Sequence, residues 1–252
     1  MKGALRAGGA IAVVLLLWEV LARAIDMPLL APPPETVAQS ALALAKSGEL
    51  LRDTLASLQR LVVALVVGVP LGAMIGCALG YWPVLDAMAS PFVRMFNAIP
   101  AIALVPFSLL WFGVTEFSRF TLLLYTISLT VTISARQGVR SVPGLRLRAG
   151  ATLGVVGVPA FLRIILPSCI PAIIVGIRTA IGLGVMVVVA AEMLGADSGL
   201  GYLIMQARSQ FNVPEMAVGV ISLGLLSLLL DRLFNGAIES FVPRWSVRRR
   251  IR

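Results

Sequence analysis

Six stretches of the chain are apolar almost without interruption, and the polar residues gather between them. They run from Gly8 to Ile25, Leu58 to Gly80, Pro91 to Gly113, Phe120 to Ala135, Ser168 to Leu194 and Pro214 to Phe234. A helix needs about 20 mostly apolar residues to cross the hydrocarbon of a bilayer, and at that depth its backbone polar groups must be satisfied internally. No stretch alternates as a barrel strand does. The pattern predicts an all-α, polytopic membrane protein with about six transmembrane helices.

Two of these stretches carry internal punctuation. In the second, Gly68, Gly72, Gly76 and Gly80 recur every fourth residue and so share one side of a helix. Small residues at that spacing let two backbones approach closely in lipid, which predicts a packing seam against a helix of the same chain or of another. In the third, Pro100 and Pro106 each remove a backbone donor. Carbonyls freed in this way are tolerated only against protein or water. Asn97, Pro100 and Ser108 are therefore candidates to line a pathway, a simple packing kink being the alternative. Trp111 and Phe112 read as an interfacial anchor.

The basic residues set an expected orientation, because short cytoplasmic loops are rich in Lys and Arg. Lys2 and Arg6 precede the first span, and Arg136, Arg140, Arg146, Arg148 and Arg163 crowd the connection between the fourth and fifth. Arg244, Arg248, Arg249, Arg250 and Arg252 close the chain. With an even number of spans all three clusters fall on one side, so both termini are expected in the cytoplasm. The connection from Asp26 to Asp53, where Lys46 and Arg52 face Asp26, Glu35, Glu49 and Asp53, belongs outside. It starts with a proline-rich extended lead-in. A helical pattern follows, with Val37, Ala41 and Leu44 on one face, until Ser47 and Gly48 stop it. That segment is expected to lie as an amphipathic helix at the outer interface. The start of the chain resembles a signal peptide, yet Glu19 and Arg23 stand where a cleavage site would need small residues, so it is expected to be retained as the first span. The division expected is a first helix plus outer amphipathic segment over residues 1–56, a five-helix core over 57–240 containing a cytoplasmic loop at 144–167, and a basic tail over 241–252.

Composition agrees with this picture. The chain is 59% hydrophobic and 13% charged, with a mean hydropathy of +0.97, where a soluble domain is usually about 25% charged. The net charge of +9 is topological and does not point to nucleic acid, since the arginines collect at the ends of apolar runs. There is no histidine, and Cys77 and Cys169 have no ligand spacing, so no metal site is expected and both cysteines read as small buried hydrophobes. Lys2 and Lys46 are the only lysines, and neither closes a G-x-x-x-x-G-K-[ST] phosphate loop. No enzyme activity and no cofactor are expected in this chain.

One connection is unlike the rest. RAGATLGVVGVPAFLRIILP, from Arg148 to Pro167, is too polar at Arg148 and Arg163 for a span and too apolar at Val155, Val156, Val158, Phe161 and Leu162 to stay solvated. Its pattern predicts a helix over Arg148 to Leu153, a turn at Gly154 and a second short helix with Pro159 in its first turn, ending near Leu166 and Pro167. An exposed apolar patch of this kind marks a protein partner, or else a connector resting on the membrane. The segment resembles the EAA loop of bacterial binding-protein-dependent ABC importers: Glu-Ala-Ala, three residues, Gly, nine residues, Ile, one residue, Leu-Pro. Ala149, Gly154, Ile164, Leu166 and Pro167 match in register, Gly150 stands for the second alanine and Arg148 replaces the glutamate.

The resemblance runs on through LLAPPPETV, TLASLQR, NAIPAIALVPFSLLWFGV, PAIIVGIRTAIG and AEMLGADSGLGYLI. These are similar to permeases of the branch importing nitrate, taurine, aliphatic sulfonates, bicarbonate, vitamin precursors or aromatic acids. The resemblance implies the type I importer permease fold and a homodimer in the bacterial inner membrane, in contact with membrane lipid. It also implies two cytoplasmic ATPase subunits that bind ATP and Mg, and a periplasmic solute-binding protein. Arg148, Ala149, Gly150, Gly154, Pro159, Phe161, Ile164, Leu166 and Pro167 would couple to the ATPase.

Charges inside the membrane are expensive and normally face protein or water. Arg178, about 15 Å along the fifth span from Ser168, could meet an anionic solute, pair with Glu192 or be satisfied structurally. The Glu192 pair would need geometry other than one helix, along which the two lie about 21 Å apart. Both residues join the candidate path, and Arg178 tilts the expected solute toward a small anion. A glycine-rich turn after Asp197 and the polar run Gln206 to Gln210 predict a short helix at the outer mouth. An ion-gradient-driven secondary transporter is the alternative, but it should show paired broken helices or intramembrane carboxylate chains. The sequence offers one proline-broken span.

Overall fold

The computed structural model describes residues 2–25, 27 and 30–241, entirely as helices and their connections. The basic tail expected beyond residue 241 lies outside the described residues, as do Asp26, Pro28 and Leu29 of the proline-rich lead-in.

Three long helices make the core: α3 (Glu49–Tyr81), α6 (Glu116–Arg140) and α9 (Leu166–Gly195). Leu61 and Ala64 of α3, Ile127 and Val131 of α6, and Val187 and Val188 of α9 are buried together. The glycine row of α3 faces α6 of the same chain. A β-carbon at Gly72 would sit 2.4 Å from the Ser128 carbonyl oxygen, and one at Gly76 would sit 2.3 Å from that of Thr132, while Gly68 and Gly80 meet Ile127 and Val139. Only hydrogen fits at the two middle positions. The closeness lets Thr132 donate to the Gly72 carbonyl at 3.2 Å, a bond between helices that lipid would not otherwise satisfy.

The expected second span is part of a longer rod, since α3 rises about 50 Å. The division expected after residue 56 falls inside it. Before α3 come α1 (Lys2–Ile25) and α2 (Pro34–Ser47), the latter stopped by Gly48 at φ 80°. Val37 and Leu44 of α2 pack on Leu203, Val218 and Trp18, so the apolar face of this amphipathic helix is turned onto protein. The Trp18 indole donates to the Pro32 carbonyl at 3.1 Å.

The third span departs most from expectation. It is two helices, α4 (Pro83–Ala98) and α5 (Val105–Phe112), bent by 85° about a 3-10 turn at Ala101–Leu104. Pro100 makes the break: it cannot donate, and it holds Ile99 extended. The Phe96 carbonyl, deprived of its usual donor at Pro100, accepts from the Ile99 N–H at 3.1 Å and from the Tyr125 hydroxyl of α6 at 2.6 Å. Pro106 breaks nothing, because it lies in the first turn of α5, where a missing N–H is an orphan anyway.

A second departure concerns α8 (Val158–Ala160). It does not end at Leu166 and Pro167 but continues through a π turn at Phe161–Ile165 straight into α9. Leu166 donates to the Phe161 carbonyl, and this wider ring carries the helix past the donor missing at Pro167. Three more helices complete the fold, α7 (Gly144–Thr152), α10 (Leu200–Ser209) and α11 (Val213–Phe241). Among the described residues four helical runs are long and apolar enough to cross a membrane, and the bent pair makes five. With α1, about 36 Å long and exposing Val13, Leu16, Leu17 and Leu21, the chain fits about six spans.

Candidate functional site

Two sites lie at opposite ends of α9. At its start, α7 (Gly144–Thr152) ends in a turn where Gly154 donates to the Ala151 carbonyl and Val155 to that of Gly150. Gly154 (φ 76°) and Gly157 (φ 63°) take the left-handed backbone that makes this reversal possible. Pro159 follows in the first turn of α8. Gly150 is buried, and a β-carbon there would lie 2.4 Å from Cδ1 of Ile164, so the glycine standing for an alanine makes room for the isoleucine of the same pattern. Arg146 donates to Ser168 and ties α7 to α9.

What this element leaves uncovered is apolar. Leu153 is 82% exposed and Val156 61%, with Leu145, Val158 and Leu162 also bare. Phe161 turns inward and packs edge-on against Tyr81 at 5.1 Å. Behind it lies an apolar cavity of about 550 Å³ lined by Met74, Cys77, Trp82 and Leu166. Cys77 and Cys169 are free, buried, and 3.9 Å apart between their sulfurs, a pairing across helices that spacing did not suggest. Asp86, also unforeseen, fixes the start of α4 to the end of α6 through Arg136 (2.5 Å) and Arg140, while Arg136 also donates to Ser90.

At the far end of α9 the chemistry is polar and buried. Glu192, 1% exposed, accepts from Ser57 at 2.8 Å, Arg60 at 2.7 Å and the Gly201 backbone at 2.9 Å. Asp53 and Ser57 accept from the backbone of Gly199 and Leu200. The start of α10 is thus capped by acceptors from α3 and α9, as a helix N-terminus requires. Gly199 stands at φ 119°, with the Glu192 carboxyl 2.4 Å from where a β-carbon would be. Arg60 also donates to Glu116 at the start of α6, and Arg119 donates both to Glu116 and to the Gly195 carbonyl. The TLASLQR and AEMLGADSGLG segments, far apart in sequence, therefore meet in one network. Nothing local in either announces its partner.

The residues suggested for a path do not converge. Asn97 and Pro100 are exposed at the bend. Ser108 is buried and donates to the Val105 carbonyl of its own turn, and Glu192 is buried. Arg178 does not reach Glu192. It pairs with Asp231 of α11 at 2.7 Å, remains 56% exposed, and Asn235 donates to the same carboxylate. The short helix expected at the outer mouth is α10, which buries Leu200, Leu203, Ile204 and Ala207.

Residues 68–247 match the family described as binding-protein-dependent transport system inner membrane component. The chain is 31% identical over 229 residues to the taurine transport system permease protein of Escherichia coli, covering 88% of this chain and 83% of that one. It is 29% identical over 235 residues to a putative aliphatic sulfonates transport permease protein of Bacillus subtilis, covering 93% and 85%. A probable ABC transporter permease protein of Brucella abortus is 32% identical over 217 residues, 86% of each chain. Among solved structures, a chain of the MetNI methionine ABC transporter in an inward-facing conformation superposes with a TM-score of 0.60 over 73% of this chain and 92% of that chain, at 19% identity.

Proposed function

The chain belongs to the family of binding-protein-dependent transport system inner membrane components, and on that premise we propose that it is the permease of an ATP-driven importer for a small organic anion of the sulfonate type. It works as a homodimer. Two cytoplasmic ATPase subunits bind ATP and Mg, a periplasmic binding protein delivers the solute, and both termini face the cytoplasm. The relatives that carry the names taurine and aliphatic sulfonates support the solute class.

The observation that carries this reading is the bare apolar crest at Leu153, Val156, Val158 and Leu162, raised on two left-handed glycines. Such a surface on a membrane protein's basic, loop-rich end is completed by another protein. Arg148 is exposed beside the crest and replaces the family glutamate, so contact rests on shape and apolar area. The helix from Val158 to Gly195 is continuous, so a push on the crest is delivered along about 57 Å of helix to the Glu192 network. The π turn at Phe161–Ile165 is where that rod can flex.

Arg178 and Asp231 suggest where the two copies and the path lie. An ion pair this exposed on helices of membrane-spanning length is not stable against lipid and faces protein or water. Uptake of a radiolabelled alkanesulfonate into proteoliposomes containing the chain, its ATPase and its binding protein tests the reading. Uptake should require hydrolysable ATP inside. Accumulation by the chain alone, driven by an ion gradient, would overturn it.

A further inference from the structure

We infer that the cavity between the far ends of α3 and α6 binds the solute's anionic group, and that the Glu116 carboxylate occupies the anion position in the empty site. This deepens the proposed function and rests on it, since the anion is taken to be the transported solute. The cavity has a volume of about 530 Å³ and joins polar groups on Gln59, Arg60 and Ser198 to an apolar wall of Val63, Phe117 and Phe120. That is the size of a small-molecule pocket, with the two-sided chemistry of an anion bearing a short alkyl or aryl tail.

Glu116 sits across the cation end. Its Oε1 accepts from Nη2 of Arg60 and Nη1 of Arg119, each at 2.7 Å, and its Oε2 accepts from Nε of Arg60 at 2.9 Å. The side chains of the two arginines are 9% and 4% exposed, whereas that of Glu116 is 62% exposed. The cations are also fastened elsewhere, Arg60 to Glu192 and Ser198 and Arg119 to the Gly195 carbonyl, so they keep their places if Glu116 leaves. Glu116 has no such second tether among the described residues. It is the first residue of α6, after the Thr115 cap, and its side chain is mostly exposed, so it can swing without unwinding the helix.

One donor is already waiting. Nε of Arg119 is buried and has no hydrogen-bond partner, and Arg119 lines a second cavity of about 390 Å³ on the other side of Glu116, beside Gly195 and Asp197. The two oxygens of the Glu116 carboxylate already serve the Arg60 fork and Nη1 of Arg119, leaving only Nε of Arg119 unmet. A sulfonate in the same position brings a third oxygen, one more acceptor for these donors. Exchange of Glu116 for a solute anion leaves the charge on the two arginines balanced, whereas a neutral or cationic solute would not.

Saturation-transfer NMR on the full-length permease in nanodiscs, with butanesulfonate, methanesulfonate and butylammonium as probes, reads the site directly. Glu116→Gln should bind butanesulfonate about tenfold more tightly than wild type, because the competing carboxylate is gone. Arg119→Gln in that background should abolish the signal. Phe117→Ala should weaken butanesulfonate but leave methanesulfonate unchanged. If Glu116→Gln does not assemble, Glu116→Asp, which draws the carboxylate back by one methylene, should still bind more tightly than wild type. A well-assembled Glu116 variant that binds butanesulfonate no better than wild type, or that binds butylammonium equally well, overturns the site. Loss of the site with ATP-dependent uptake intact leaves the transporter reading standing, and only failure of uptake removes that reading.

Discussion

The two ends of α9 are built on opposite rules. At the loop end a short helix, two left-handed glycines and a crest of exposed leucine and valine leave the surface unfinished. At the far end Glu192 is enclosed by Ser57, Arg60 and Gly201, and Asp53 and Ser57 satisfy the start of α10. An unfinished apolar surface is completed by another molecule. A buried, fully paired charge network costs heavily if one partner is lost and so fixes one arrangement of helices. The contrast separates a part left open to a partner from a part locked in one arrangement, with one continuous helix between them.

Substitutions should therefore divide sharply. Glu192→Ala leaves Arg60, the Ser57 hydroxyl and the Gly201 backbone N–H facing a void, and the cost of breaking a buried pair is about 3–5 kcal/mol. Thermal unfolding in detergent should show the largest loss of any single variant here. An unchanged melting temperature would mean that the far end is not locked.

Gly72→Val comes next. It drives a branched side chain into the Ser128 carbonyl across the α3–α6 seam, and overpacking costs about 1–3 kcal/mol. If the melting temperature of this variant held, the seam would be looser than its distances imply.

Gly154→Val forces a β-branched residue into the left-handed region at about 1–2 kcal/mol, locally and on the exposed turn. Global unfolding should move little while ATP-dependent uptake falls, which sharpens the contrast from the other side.

Much of this was legible in the sequence, for reasons that differ by residue. The glycine row, the Gly154 turn, the helix start at Pro159 and the break at Pro100 are local signals, each set by a residue's own backbone limits. The Arg60–Glu192, Arg60–Glu116 and Arg178–Asp231 pairs are not local. They join different helices, and no periodicity says which arginine faces which carboxylate. Arg178 leaves solute, Glu192 and structural satisfaction open in the sequence, because charge is visible there while azimuth between helices is not. Leu166 and Pro167 misled in another way: a proline reads as a stop, but a π turn one residue earlier carries the helix through. Asp86 is silent in the sequence because a carboxylate just after a span reads as solvated, whereas here it is buried beneath Arg136 and Arg140.

The most direct test places polar residues on the crest and asks two questions of the same sample. Leu153→Ser, Val156→Ser and Leu162→Ser combined remove exposed apolar area and touch nothing in the core, so the melting temperature of the purified permease should stay at the wild-type value. The same variant, affinity-purified from membranes, should come without the ATPase subunit, which on the proposed function wild type should carry at one copy per permease chain. Retention of the ATPase at wild-type stoichiometry would contradict the assignment of the crest as its docking surface.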